Sequence, residues 1–206
     1  MKKQVLALFV VLALTLTGCV GSGMSLGKQK TYSSGLQSLL SKQETFTFNR
    51  LPKTVKEFEA LPEAALTSPH MTAALTAVAL CAYVENPTAG IAMLNVLCGP
   101  QPLSARVAQL TRDSLRGKTY KPYSYFNGAT IKNGYKPNTP YQIMVFEQGT
   151  SYSEQGYAKL FLQSDGADSS RPVSLRLKPS TGQWFLVEFS SLLLDMRVPD
   201  SQNRWR

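Results

Sequence analysis

The sequence predicts an α+β fold, with about four N-terminal helices packed on a C-terminal antiparallel sheet of about four strands. Three observations predict it. Segments with helix caps and helical apolar spacing fill the chain up to Gly117. Strict apolar–polar alternation begins only after Pro140. Helices grouped before strands, rather than interleaved with them, place helices on one face of an antiparallel sheet.

The chain opens with Lys2 and Lys3 ahead of an apolar run at residues 5–16. A membrane-spanning helix needs about 20 apolar residues. A shorter run behind two lysines reads as the core of a secretory signal peptide. Leu16-Thr17-Gly18-Cys19 follows and resembles the lipobox of bacterial lipoproteins. That resemblance implies cleavage before Cys19 and diacylglycerol on its thiol. The alternative is an ordinary secretory signal with an incidental cysteine. The expected organisation is a signal peptide at 1–18, a lipid-anchored tether at 19–50 and one α+β domain at 51–206. Within the tether, "SGLQSLLSKQETF" puts Leu36, Leu39 and Leu40 on one helical face and predicts a short helix.

The body begins near Leu51. Thr54 with Glu57 fits a capping box ahead of "VKEFEAL". Ser68-Pro69 supplies an N-cap and a first-turn proline. The segment behind it is apolar nearly all round, which predicts a helix buried on most sides. Asn86-Pro87 separates it from a second apolar helix that Gly99-Pro100 stops. Ser104 caps "ARVAQLTRDSLR", whose inner face is expected at Leu103, Val107, Leu110 and Ser114, and Gly117 ends it.

Residues 118–140 are rich in proline and glycine and read as loop. Four strand patterns follow: "YQIMVFE", "GYAKLFLQ", "PVSLRLK" and "QWFLVEF". Ala158, Leu160 and Leu162 should share one face of the second, and Val173, Leu175 and Leu177 one face of the third.

The segments "EFEALPEAALTSP", "NPTAGIAMLNVLCGPQPLS", "RGKTYKPYSYFNGAT" and "LRLKPSTGQWFLVEF" resemble an uncharacterised bacterial domain found largely in Gram-positive bacteria. The resemblance covers 51–206. It implies no activity and supplies no catalytic residues.

Composition narrows the function classes. The chain has 22 lysines and arginines against 13 acidic residues, a net charge of +9. The basic residues are spread without a dense cluster. They read as a solvated surface, or as affinity for lipid headgroups, wall polymers or acidic glycans. No nucleic-acid motif is present, and no nucleic acid is expected as a partner. Cys81 and Cys98 could pair in an oxidising compartment. In a helical hairpin about Pro87, however, they would be offset by about six residues, or roughly 9 Å along the axis. Two buried free thiols are expected. One histidine and no C-x-x-C spacing argue against zinc. No cofactor and no metal are expected.

Catalytic candidates are sparse. No G-x-x-x-x-G-K-[ST] loop occurs. His70, the sole histidine, falls at the second position of a helix, where it reads as a surface or packing residue. Asp165 and Asp168 lack the spacing of a calcium loop. Glu147 and Glu188 would form a glycosidase-type pair only if their strands brought them together. The richest stretch is Tyr120, Tyr123, Tyr125, Phe126 and Tyr135 with Lys121 and Lys132. Tyrosine offers an apolar face with a polar tip, suited to sugars, peptides or headgroups, so these residues form a candidate ligand-binding surface. The alternative is that they seal the helix-to-sheet connection.

The expected protein is a lipid-anchored, extracytoplasmic, non-catalytic module that binds an envelope protein, a glycan or an anionic polymer. The alternatives are an envelope enzyme using Glu147, Glu188 or Arg176, and a structural spacer.

Overall fold

The computed structural model describes residues 42–205. In chain order the elements are strand β1 (Gln43–Phe48), helix α1 (Val55–Glu59), a 3-10 turn (Pro62–Ala65) and helices α2 (Pro69–Glu85), α3 (Pro87–Cys98) and α4 (Ala105–Leu115). A one-turn helix α5 (Tyr120–Tyr123) leads to strands β2 (Tyr141–Phe146), β3 (Tyr157–Leu162), β4 (Arg171–Lys178) and β5 (Gln183–Glu188). Two 3-10 turns, Ser190–Leu193 and Asp200–Gln202, close the described chain.

The α+β class holds, with five helices and a five-stranded antiparallel sheet among the described residues, in the order β1-β2-β3-β4-β5. The extra strand is β1. It lies in the segment assigned to the tether, so the folded body begins before Leu51. "QETFTF" alternates, with Phe46 and Phe48 turned toward the core and Thr45 and Thr47 toward solvent. The part of the expected short helix that is described, from Gln43 onward, is therefore strand; its remainder lies outside the described residues. The extra helix is α5, in the stretch read as loop.

The caps form as the sequence dictates. Thr54 Oγ1 accepts from Glu57 N, Ser68 Oγ from His70 N, Asn86 Oδ1 from Ala89 N and Ser104 Oγ from Val107 N. Helix α2 is the central post. Its residues are buried without a break from Thr72 to Tyr83. It packs on all five strands and on α3. Gly90 allows the α2–α3 approach, since a Cβ there would lie 2.2 Å from the Tyr83 Cα. Thr72 Oγ1 donates to Trp184 O at 2.7 Å and fastens α2 to β5. Helix α4 is more peripheral; of its expected inner face, Leu103 and Val107 pack half-buried against the core, Ser114 is half-buried and Leu110 turns outward. Thr111 and Leu115 are its buried residues, while Leu110 is 42 % exposed.

The sheet is not evenly paired. β2 and β3 share only Val145↔Leu162 and Phe146↔Phe161. Beyond that point residues 126–127 enter the gap. Phe126 bridges Ile143, and Asn127 N donates to Gln142 O at 2.8 Å. Ile143, already paired to Phe46 of β1, thus has backbone neighbours on both sides. This split positions the site.

Candidate functional site: a cleft at the split of the sheet

Where β2 and β3 part, a cleft of about 410 Å³ opens. Thr45 of β1 and Gln142 and Met144 of β2 form one wall. Residues 124–129 form the floor, and Gln163 and Asp165, beyond β3, the far wall. Alternation accounts for the first wall. Phe46, Ile143 and Val145 point into the core, so Thr45, Gln142 and Met144 emerge on the opposite face. The lining mixes the amides of Asn127, Gln142 and Gln163, the hydroxyls of Thr45, Ser124 and Tyr125 and one carboxylate with the apolar Phe126, Ala129 and Met144, and it includes no cation. Asp165 Oδ2 accepts from Ile131 N at 3.0 Å, and Asn127 Nδ2 donates to Gln142 Oε1 at 3.3 Å. These contacts fix the walls. Met144, 40 % exposed, offers apolar surface beside them.

The Tyr/Lys stretch, read as a candidate ligand-binding surface or as a seal of the helix-to-sheet connection, is largely buried. Tyr120, Lys121, Tyr125, Phe126 and Tyr135 are buried, Tyr123 is half-buried and Lys132 is exposed. Tyr120 stacks on Tyr135 with ring centroids 5.4 Å apart. Tyr125 Oη donates to Leu192 O at 2.8 Å, and Tyr135 Oη to Arg197 O at 2.9 Å. Lys121 Nζ donates to Leu193 O. Tyr123 Oη donates to Glu85 Oε1 at 3.0 Å. The polar tips of Lys121, Tyr123, Tyr125 and Tyr135 are spent on the chain's own C-terminal segment and on α2, while the buried Tyr120 hydroxyl has no hydrogen-bond partner among the described residues. These residues seal the connection because a ring can fill the core while its hydroxyl satisfies a backbone carbonyl that strand pairing leaves over. Only Tyr125 and Phe126 reach the cleft, as its floor.

Glu147 and Glu188 do not converge. Two strands separate β2 from β5, about 14 Å at sheet spacing, whereas paired glycosidase carboxylates stand roughly 5–9.5 Å apart. Glu188 is exposed and accepts from Ser190 N at 2.5 Å. Arg176 lies over the Tyr157 ring, 5.4 Å from its centroid.

Glu147 instead joins a group that spacing alone does not reveal. Glu44 of β1 and Glu147, just past β2, lie at the rim of the core-facing side, next to the start of α2. Glu147 Oε1 lies 3.4 Å from His70 Nε2, and Glu44 Oε1 lies 3.7 Å from His70 Nδ1. Neither contact is aligned as a hydrogen bond, and both ring nitrogens lack one. Tyr152 Oη donates to Glu147 Oε1 at 2.8 Å, and Lys42 Nζ lies 2.8 Å from Glu44 Oε1. Burial lowers the His70 pKa; the two carboxylates oppose this and Lys42 adds to it. At 1 % exposure His70 meets no solvent-borne substrate. The signal available in sequence was the alternation of "QETFTF", which aligns Glu44 with the core-facing phenylalanines.

The other candidates have separate local roles. Asp168 pairs with Arg197, away from the Asp165 contact. Among the described residues no group of three or more His, Cys, Asp and Glu could hold a metal ion. Cys81 and Cys98 are buried free thiols. Burial pushes the Cys98 pKa up to about 11, so its thiolate is scarce at neutral pH. Cys19 and the leader lie outside the described residues. Among those described, no helix is long and apolar enough to cross a membrane.

Residues 50–200 match a domain of unknown function, DUF6935. The chain belongs to the DUF6935 family. No curated protein and no solved structure matches it. Among the described residues, the DUF6935 match covers helices α1 to α5 and the four strands of the C-terminal half, and β1 lies just before it.

Proposed function

We propose that the chain is a membrane-anchored, extracytoplasmic lipoprotein, attached through Cys19, whose body is a non-catalytic binding or accessory module for a protein, glycan or anionic polymer of the envelope. The observation carrying the binding role is the cleft at the split of the sheet. Its lining offers the Thr45 hydroxyl and the amides of Asn127, Gln142 and Gln163 over a floor whose Tyr125 is tied to Leu192 O. Ligand sites combine a concave surface with a few fixed polar groups. The enzyme alternative is weaker. Glu147 and Glu188 stand on different parts of the sheet, and His70 is shut away from substrate.

Two experiments test the reading. Cys19→Ser should abolish acyl labelling and leave an uncleaved precursor; a labelled variant would refute the anchor. Thr45→Trp and Met144→Trp fill the cleft from its exposed wall. They should reduce crosslinked partners in intact cells while leaving the melting temperature near that of the parent. Undiminished crosslinking would place the binding surface elsewhere.

A further inference from the structure

The face that carries the cleft continues across β3 and β4, and there its character changes. Pairing of Tyr157 with Arg176 and of Lys159 with Ser174 puts Tyr157, Lys159, Ser174, Arg176 and Lys178 on one side, because Ala158, Leu160, Val173 and Leu175 occupy the core side. Lys159, Arg176 and Lys178 are all exposed. Neither β3 nor β4 contains a carboxylate. Glu188, opposite Ser174 on β5, is the nearest acid by register, and it is engaged with the Ser190 N–H. The Arg176 guanidinium is held over the Tyr157 ring, which orients it without neutralising it. Gln163 at the cleft wall and Lys159 lie four residues apart along the same side, about 13 Å at strand rise, with the buried Phe161, its ring packed on Phe146, between them.

We infer that the ligand is an extended anionic glycan that starts in the cleft and runs along β3 to the cations of β3 and β4. This inference rests on the binding reading above and names the ligand class of that same face. The amides and hydroxyls of the cleft suit sugar hydroxyls. The cations about 13 Å away suit carboxylate or phosphate groups borne farther along the chain. A neutral glycan would make no use of them. A small anion would not span both regions.

The test uses the full chain in detergent with polygalacturonate as the probe and neutral dextran as the reference. Polygalacturonate should bind, dextran should bind far more weakly, and added salt should weaken polygalacturonate binding. Lys159→Glu with Arg176→Glu should weaken it at least about tenfold. Lys159→Gln with Arg176→Gln, read beside its melting temperature, gives the same test with less perturbation. Gln163→Trp should weaken both the parent interaction and whatever the charge variants retain. If the cleft variant weakens binding and the charge variants do not, the inference falls while the binding role stands. If neither set changes binding, both fall. Equal binding of dextran, absence of polygalacturonate binding, or binding only to phosphatidylglycerol vesicles would each overturn the inference.

Discussion

His70 shows how one residue can couple acidity to stability. Its folded-state pKa lies below the ordinary value of 6.5, chiefly because burial disfavours the imidazolium. Between those two values the unfolded chain binds a proton that the folded chain refuses. The stability associated with the neutral ring is therefore complete above pH 6.5, and it falls as pH drops toward the folded-state value. The urea midpoint of the parent should drop between about pH 7.5 and about pH 5. In His70→Asn that dependence should flatten; an equally steep fall in the variant would assign it to other groups. Tyr125 offers a second single-residue test. Its hydroxyl satisfies Leu192 O, so Tyr125→Phe should cost about 1 kcal/mol in denaturant unfolding. The larger loss expected of Tyr125→Ala would come from the missing ring. Equal effects of the two would mean that the hydroxyl is the whole contribution.

At the level of elements, β1 and the α2–α3 pair make the strongest claims. The caps and prolines of α2 and α3 were legible because Ser68-Pro69 and Asn86-Pro87 act through the local backbone. β1 was not, because the three leucines before it set a helical period that was carried into "QETFTF". Its partner β2 is nearly a hundred residues away, and local pattern does not report such pairing. Deleting residues 43–48 should lower the denaturation midpoint and expose Ile143 and Val145 to solvent. An unchanged midpoint would make β1 an accessory to the fold. Gly90→Ala should destabilise by about 2–3 kcal/mol, since the new methyl group meets the Tyr83 backbone and not a side chain that can move away. A neutral result would show that α2 and α3 separate easily.

Over the whole molecule, the order of helices before strands gave the class, because each element buries one side and the order of periods limits the architectures. The candidate site was less legible. The Tyr/Lys stretch is conspicuous in sequence, but the same amphipathic rings suit a core seam as well as a ligand. Burial decides between these, and burial depends on the C-terminal segment 190–197 folding back onto the stretch. The cleft arises from a split between two strands and has no local signature. Its lining residues come from four separate stretches of chain. The central claim is that this outer face of the sheet is the working surface. It is tested most directly by placing a photoreactive side chain at Gln163 or at Leu110 in the full chain, in intact cells. Leu110 is also exposed but lies on α4 and is not among the cleft-lining residues. The account predicts covalent adducts at Gln163 and few or none at Leu110. Adducts at Leu110 with none at Gln163 would contradict it.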